Sequence, residues 1–350
     1  MTAVSVSTAS SNPAAGPVTT PLPFSGYVPS RRWSGGHRMT VYAWARPRAL
    51  PALPPAEACF FDTASDARVL AHCNWQPARD RAPVLLLLHG LEGSSLAHYM
   101  RGIAEKAWVA GFSVVRLNQR NCGGTEHLSR GLYHSGLTHD PLFLLRHLIE
   151  GEKVPAVVVA GYSLGGNLTL KLAGELGAAA PPQLKAVCAV SPTMDLALCV
   201  DALERRPNLL YQYNFMRNLR ARLRRKATLF PDLYDPRRLD AVWTVRKFDD
   251  AYTAPMNGFG TAARYYHEAS SLRVVDRIRV PTLILTAAND PFVPPEQFAR
   301  PEIAANPHLR VVVTEDGGHC GFVSERDPSH DGYWAEYAVV AWAQHHAMAT

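Results

Sequence analysis

The sequence contains no long hydrophobic run. Its aliphatic stretches, such as the five residues of Val84–Leu88, fall far short of the about 20 residues that a membrane-spanning helix requires. The first 22 residues have neither the basic start nor the apolar centre of a secretory signal, and they are rich in Ser, Thr, Ala and Pro. We therefore expect residues 1–22 to form a disordered tail and the protein to be soluble and cytoplasmic.

Cysteine is scarce and irregularly placed. The six cysteines include no CxxC pair, which argues against a disulfide framework or a zinc site. The excess of basic residues is modest, with 36 Lys and Arg against 30 Asp and Glu, and no recognised nucleic-acid-binding motif accompanies it. We therefore predict no metal site and no nucleic-acid partner. No organic cofactor is expected either.

The order of the predicted elements is that of a parallel sheet with helices on both faces. The chain has 350 residues, enough for one large domain with an insertion or for two small ones. An N-terminal extension, residues 23–56, precedes two strands joined by a hairpin turn, after which strands and helices alternate. We predict strands at residues 58–62, 69–75, 84–88, 112–117, 156–160, 185–190, 282–286 and 310–314. We predict helices at residues 98–110, 141–150, 164–176, 295–299 and 333–346.

The alternation stops once, in the second half of the chain. Residues 195–276 look helical, carry many Arg residues and contain no strong strand. Because ligands of open α/β sheets bind at the carboxyl edge of the strands, we interpret this segment as a cap or lid over that edge. Residues 57–194 and 277–350 would then form the core.

The motif Gly161-Tyr162-Ser163-Leu164-Gly165 follows a predicted buried strand and opens a predicted helix. This context is that of a nucleophile elbow, in which a tight turn lifts the serine hydroxyl above the sheet. The turn leaves no room for side chains at Gly161 and Gly165, and the start of the helix adds positive potential. The sequence therefore predicts Ser163 as a covalent nucleophile.

A serine nucleophile needs a base and an orienting acid. In folds that carry a nucleophile elbow after a parallel strand, the chain order is Ser, then acid, then His. His319 follows a Gly pair after the last predicted strand and is the predicted base, free to swing over the elbow. Asp290, in the loop after residues 282–286, is the predicted acid. Asp195 and Asp316 stay open as alternatives, although Asp316 is more typical of a turn former because it lies three residues from the base.

The negative charge that develops on an ester oxygen needs two preorganised N–H donors. We predict that one is the backbone N–H of Leu164, the residue after the nucleophile. The other is predicted at Leu91, in the loop of residues 89–93, which reads His-Gly-Leu-Glu-Gly. Gly90 in this loop permits close approach of the substrate.

Two further segments indicate which family of proteins the sequence resembles. Residues 118–124 read Asn-Gln-Arg-Asn-Cys-Gly-Gly, and residues 248–259 begin with Phe-Asp-Asp. With these, the sequence resembles the YheT-like branch of the α/β hydrolases, also called AB hydrolase family 4, which includes the eukaryotic α/β-hydrolase-domain proteins of types one to three. The resemblance covers about residues 57–345 and is carried by residues 89–93, 118–124, 133–136, 161–167, 248–259, 289–294 and 317–322.

The resemblance implies an α/β-hydrolase fold, with a mostly parallel eight-stranded sheet and a helical cap. It also implies a serine carboxylesterase for short- or medium-chain acyl esters, with acylglycerols or phospholipids cleaved by eukaryotic relatives. Because some relatives pass the acyl group to an alcohol, an alcohol acyltransferase is an alternative. A non-catalytic ligand-binding protein is the alternative from another class, and the intact set of Ser163, Asp290 and His319 argues against it. The expected partner is a small-molecule ester.

A basic run within the predicted cap accounts for much of the net charge. We interpret this run as a solvated helix face, and contact with an anionic lipid surface or anionic substrate is the alternative. Nothing in the sequence specifies an oligomeric state. The run consists of Arg217, Arg220, Arg222, Arg224, Arg225 and Lys226.

Overall fold

A computed structural model describes residues 21–326 and 330–348. Most of the predicted disordered tail, residues 1–20, lies outside the described residues. The strands are β1 (Glu57–Ala64), β2 (Ala67–Asn74), β3 (Val84–Leu88), β4 (Ser113–Leu117), β5 (Val157–Tyr162), β6 (Leu184–Val190), β7 (Thr282–Ala287) and β8 (Leu309–Thr314).

These eight strands form one sheet with the order β1-β2-β4-β3-β5-β6-β7-β8. β2 pairs antiparallel with both β1 and β4, and every other neighbouring pair is parallel. The predicted class, an α/β fold with a mostly parallel eight-stranded sheet, is confirmed. Because β3, β5, β7 and β8 run in the same direction, their carboxyl ends meet at one edge of the sheet.

The helices cover both faces of this sheet. They are α1 (Gly36–Ala45), α2 (His98–Val109), α3 (His139–Arg146), α4 (Leu164–Leu176), α5 (Leu196–Leu203), α6 (Leu209–Leu229), α7 (Val245–Phe248), α8 (Ala254–Met256), α9 (Ala262–Ala269), α10 (Pro301–Ala304) and α11 (Trp334–Ala347). In the part of the chain that the structure describes, none of them is long and apolar enough to cross a membrane.

Burial on both faces explains the aliphatic strands. All five side chains of β3 are buried. Val84, Leu86 and Leu88 belong to the hydrophobic cluster that includes residues of α4. Leu85 and Leu87 point to the opposite face and join the cluster formed with α2 and α11. A polar side chain at any of these positions would lose its hydrogen bonds to water without gaining a partner in the protein. All five residues of the strand are therefore aliphatic.

Two local predictions differ from the structure. Residues 36–45 form a helix, α1, within the N-terminal extension, for which the sequence predicts no helix. The predicted helix at 295–299 is a short 3-10 turn. It ends because Arg300, which precedes Pro301, has extended backbone angles, as the proline ring disfavours helical geometry in the residue before it.

The chain between β6 and β7 is helical, containing α5 to α9 and several 3-10 turns. The basic run lies on α6, and its interpretation as a solvated face is wrong for Arg222 and Lys226, which are buried. Arg222 forms an ion pair with Glu92, with 2.8 Å between Nη1 and Oε1. Arg220 donates to the carbonyl oxygens of Leu239 and Val242 instead of facing solvent.

Candidate active site

Ser163 lies at a sharp turn between β5 and α4. Its backbone angles are φ 56° and ψ −118°, a region that non-glycine residues rarely occupy and that costs about 1–3 kcal/mol. The turn is held by the Ser163 N–H, which donates to the Val190 carbonyl oxygen at 2.9 Å. This strained turn places Ser163 in the wall of a cavity.

The two flanking glycines are required by close backbone approach. A Cβ atom built on Gly161 would lie 2.0 Å from the Gly165 carbonyl oxygen. A Cβ on Gly165 would lie 2.3 Å from the carbonyl oxygen of Leu88. Both distances are below any real carbon–oxygen contact, so the turn and β3 can pack together only around glycine.

The structure brings the predicted base and acid together. His319 Nδ1 lies 2.8 Å from Asp290 Oδ2. The other carboxylate oxygen of Asp290 accepts the N–H groups of Phe292 and Val293, at 3.1 and 3.0 Å. These two bonds leave Oδ2 for the imidazole, which the Phe292 ring also contacts at 4.0 Å between centroids.

Burial and charge act in opposite directions on His319. Burial lowers the pKa of the imidazole, but the neighbouring carboxylate of Asp290 outweighs it and raises the pKa above the ordinary 6.5. Ser163 and His319 line the same cavity, although no hydrogen bond joins them within residues 21–326 and 330–348. Such contacts are often long without substrate and shorten in the Michaelis complex.

The two alternative acids have other partners. Asp195 caps α5, accepting the Leu198 N–H at 3.2 Å. Asp316 accepts the Gly35 N–H at 2.9 Å and the side-chain amide of Asn289 at 2.6 Å. Neither is bonded to the His319 ring in the described residues, and Asp316 ties the N-terminal extension to the loop that carries the base.

The loop of residues 89–93 places Leu91 for the predicted oxyanion site. Gly90 N–H donates to the Tyr99 hydroxyl, Glu92 N–H to the Tyr133 hydroxyl, and Gly93 N–H to the Gly90 carbonyl. Leu91 N–H has no partner in the part of the chain that the structure describes. Leu164 N–H is also free there, because Leu164 is the first residue of α4 and the first four N–H groups of a helix lack intrahelical acceptors.

His89 fixes this loop from beneath. Burial lowers the pKa of its imidazole to about 4, so the ring is neutral at ordinary pH. Its Nε2 accepts the backbone N–H of Gln119 at 3.1 Å, and its Nδ1 lies 2.8 Å from the Gly90 carbonyl oxygen. The Asn-Gln-Arg-Asn-Cys-Gly-Gly segment therefore supports the loop of residues 89–93 through Gln119, a role its residue types did not reveal.

Two cavities meet at Ser163 and Leu91. The inner one, of about 100 Å³, runs beneath the helices inserted between β6 and β7. The outer one, of about 800 Å³, opens between α1, α6 and the loop of residues 89–93. The inner cavity is largely apolar, with walls that include Leu196, Val200, Leu203, Phe215, Leu219, Leu223, Val245 and Phe248. No group of three His, Cys, Asp or Glu side chains in the described residues is arranged to hold a metal ion.

Thr40 of α1 is a site residue that sequence reasoning missed. Its Oγ1 accepts the His319 N–H at 2.8 Å and donates to the Gly36 carbonyl at 2.7 Å. Gly318, in the Gly pair that precedes His319, allows α1 to pack closely, since a Cβ on Gly318 would lie 2.4 Å from the Gly36 carbonyl oxygen. No local sequence signal marks this contact, because 279 residues separate its partners.

We expect Thr40→Val to lower kcat about 10-fold with KM little changed, because the isosteric valine removes one bond that positions the base. Thr40→Ser keeps the hydroxyl and should retain nearly the wild-type kcat. Steady-state kinetics on a soluble ester separates kcat from KM for both variants. Equal kcat values for Thr40→Val and the wild type would contradict a positioning role.

The chain is similar to known proteins in sequence and in fold. The family described as the α/β-hydrolase fold matches residues 83–325. The chain is 33% identical over 262 residues to the protein named "Putative esterase YheT" of Escherichia coli, covering 74% of this chain and 76% of that protein. It is 30% identical to phospholipase ABHD3 of Mus musculus, over 69% of this chain and 58% of that protein.

A third relative is medium-chain fatty acid ethyl ester synthase/esterase 2 of Saccharomyces cerevisiae, 29% identical over 73% of this chain and 61% of that protein. The chain thus spans less than two thirds of the length of the mouse and yeast relatives.

Solved structures show the same fold at low sequence identity. Est1E of Butyrivibrio proteoclasticus with ferulic acid bound superimposes with a TM-score of 0.54 at 16% identity, covering 83% of this chain and 100% of that one. The 2,6-dihydroxy-pseudo-oxynicotine hydrolase gives 0.55 at 18% identity, over 84% and 68% of the two chains. The family match and the similarity to the Escherichia coli protein show that the chain belongs to the α/β-hydrolase family, within the YheT-like branch that its motifs predicted.

Proposed function

We propose that this protein is a serine carboxylesterase that works through an acyl-enzyme. The observation that carries the proposal is the strained Ser163 at the floor of a cavity that His319, bonded to Asp290, also lines. The names of the relatives, an esterase and a phospholipase among them, support the same class of reaction. A cytoplasmic location stays a prediction.

In the first half of the reaction, Ser163 Oγ attacks the ester carbonyl carbon while His319 Nε2 accepts the hydroxyl proton. The N–H groups of Leu91 and Leu164 bind the oxyanion, and Asp290 stabilises the imidazolium. The tetrahedral intermediate collapses as His319 gives its proton to the departing alcohol oxygen. In the second half, His319 takes a proton from water, the hydroxide attacks the acyl carbon, and Ser163 regains its proton as the acid leaves.

The two cavities suggest how an ester is oriented. The inner cavity is narrow and mainly apolar, which suits the acyl chain because burial of each methylene contributes about 0.8 kcal/mol. The outer cavity is wider and includes the charged Glu92, Glu126 and Arg225, which suits the alcohol portion. A small inner cavity favours short or medium acyl chains over long ones.

Acyl transfer to a small alcohol is the second candidate. In that reaction an alcohol replaces water in the second half, and its oxygen attacks the acyl-enzyme after His319 takes its proton. The open outer cavity leaves room for an alcohol beside Ser163, and the yeast relative is named as both synthase and esterase.

Labelling by a fluorophosphonate probe, together with hydrolysis of p-nitrophenyl esters of graded chain length, tests the proposal. We expect covalent labelling and a maximum of kcat/KM at short or medium chains, both abolished by Ser163→Ala. Ser65→Ala, in the exposed β1–β2 turn, is the matched control and should change neither.

Persistent labelling of Ser163→Ala would contradict the assignment of the nucleophile. Ligand binding without labelling or turnover would favour the non-catalytic alternative. Added ethanol that converts most of the product into ethyl ester would favour the acyltransferase.

A further inference from the structure

Large apolar side chains are exposed around the opening of the outer cavity. Trp44 on α1 is 66% exposed and Leu210 on α6 is 82% exposed, and both line this cavity. We call the set Val41, Trp44, Leu209, Leu210 and Tyr213 the mouth surface; all five are at least 49% exposed. A group of exposed apolar side chains at the opening of a cavity is typical of a surface that binds a partner.

Positive charge adjoins the mouth surface. Residues 1–56 contain five Arg and no Asp or Glu. One of them, Arg48, is paired with Glu336, at 2.5 Å between Nη1 and Oε1. The other four are exposed and have no carboxylate within ion-pair distance in the described part of the chain: Arg31, Arg32, Arg38 and Arg46.

Two of the four charges lie beside one apolar side chain of the mouth surface. Arg38 and Arg46 line a shallow depression together with Val41 of the mouth surface. Only part of the basic run of α6 carries exposed positive charge, because Arg222 and Lys226 are buried. Four exposed arginines without an ion-pair partner in the described residues therefore lie in the N-terminal extension.

We propose that the mouth surface, with Arg31, Arg32, Arg38 and Arg46, docks on an anionic lipid surface. Apolar and aromatic side chains enter the headgroup boundary while arginines contact the lipid phosphates. A second copy of this chain fits less well, because its own mouth surface would bring the same positive charges together. Docking in this orientation would place the outer cavity, and Ser163 at its floor, directly over the lipid.

Vesicle co-sedimentation with full-length Ser163→Ala protein tests docking apart from catalysis. We expect binding to vesicles of phosphatidylglycerol and phosphatidylcholine, weaker binding at high salt, and little binding to phosphatidylcholine alone. The triple variant Arg31→Gln/Arg32→Gln/Arg38→Gln should bind about 100-fold more weakly. Leu209→Ser/Tyr213→Ser should also weaken binding, since it removes apolar groups outside the cavity wall.

The matched control is Arg68→Gln/Arg237→Gln/Arg264→Gln, which removes the same net charge at exposed positions elsewhere and should bind like its parent. Equal loss in both triple variants, or equal binding to neutral and anionic vesicles, would overturn the proposal. Self-association that Leu209→Ser/Tyr213→Ser abolishes, measured by analytical ultracentrifugation without lipid, would overturn it in favour of a dimer. Wild-type protein that hydrolyses soluble esters but binds no vesicles would refute the docking proposal and leave the proposed esterase function standing.

Discussion

Replacing His319 by alanine should lower kcat for a soluble p-nitrophenyl ester by about 10⁴-fold or more, with KM little changed. His319, bonded to Asp290, lines the same cavity as Ser163, and an unactivated serine hydroxyl is a weak nucleophile. The fold should persist, because His319 lies at the cavity wall. Circular dichroism of the variant checks the fold, and steady-state kinetics measures the loss.

The double variant Ser163→Ala/His319→Ala distinguishes a catalytic unit from two separate contributions. Residues that act in one step are strongly non-additive, so the double variant should be no slower than either single variant. Multiplied losses would show that His319 acts apart from Ser163 and would contradict the proposed proton transfer.

The pH dependence of wild-type kcat/KM is a second test of the assignment of His319 as the base. The base must be neutral to accept the serine proton, and the carboxylate of Asp290 raises the pKa of His319 above 6.5. We therefore expect kcat/KM to increase with pH, with the midpoint of the increase above pH 6.5. A midpoint at or below 6.5 would argue against coupling of His319 to an ionised Asp290.

The second large effect is expected on folding, for Gly165→Ala. The added Cβ would lie 2.3 Å from the Leu88 carbonyl oxygen and 2.5 Å from that of His89. Both atoms are backbone, so relief requires β3 and the elbow to separate. We expect destabilisation of about 3 kcal/mol or more, a lower Tm by several degrees, and loss of esterase activity.

Gly131→Ala is the matched control, because no atom lies within 4 Å of its added Cβ and its φ is not positive. Thermal unfolding followed by circular dichroism should leave its Tm close to that of the wild type. If Gly165→Ala unfolded at the wild-type temperature, the packing of the elbow against β3 would be looser than the structure indicates.

The sequence alone determined the class of fold and the positions of the candidate site residues. Aliphatic runs such as Val84–Leu88 predicted strands correctly because a strand buried on both faces accepts no polar residue. The turn at Ser163 was predictable because its two glycines are four residues apart and a Cβ on Gly161 would clash with the Gly165 carbonyl oxygen. The chain order of Ser163, Asp290 and His319 follows from strands whose carboxyl ends share one edge.

Only the tertiary structure decided which distant groups support that site. Thr40 bonds to the base from 279 residues away, and Arg222 turns inward because Glu92 offers a buried partner. Burial of a charge depends on the partner it meets after folding. The sequence of a run of arginines therefore does not show which of them face water and which face the core. Strand order, the two cavities and the mouth surface likewise arise from contacts between distant segments, which local patterns do not encode.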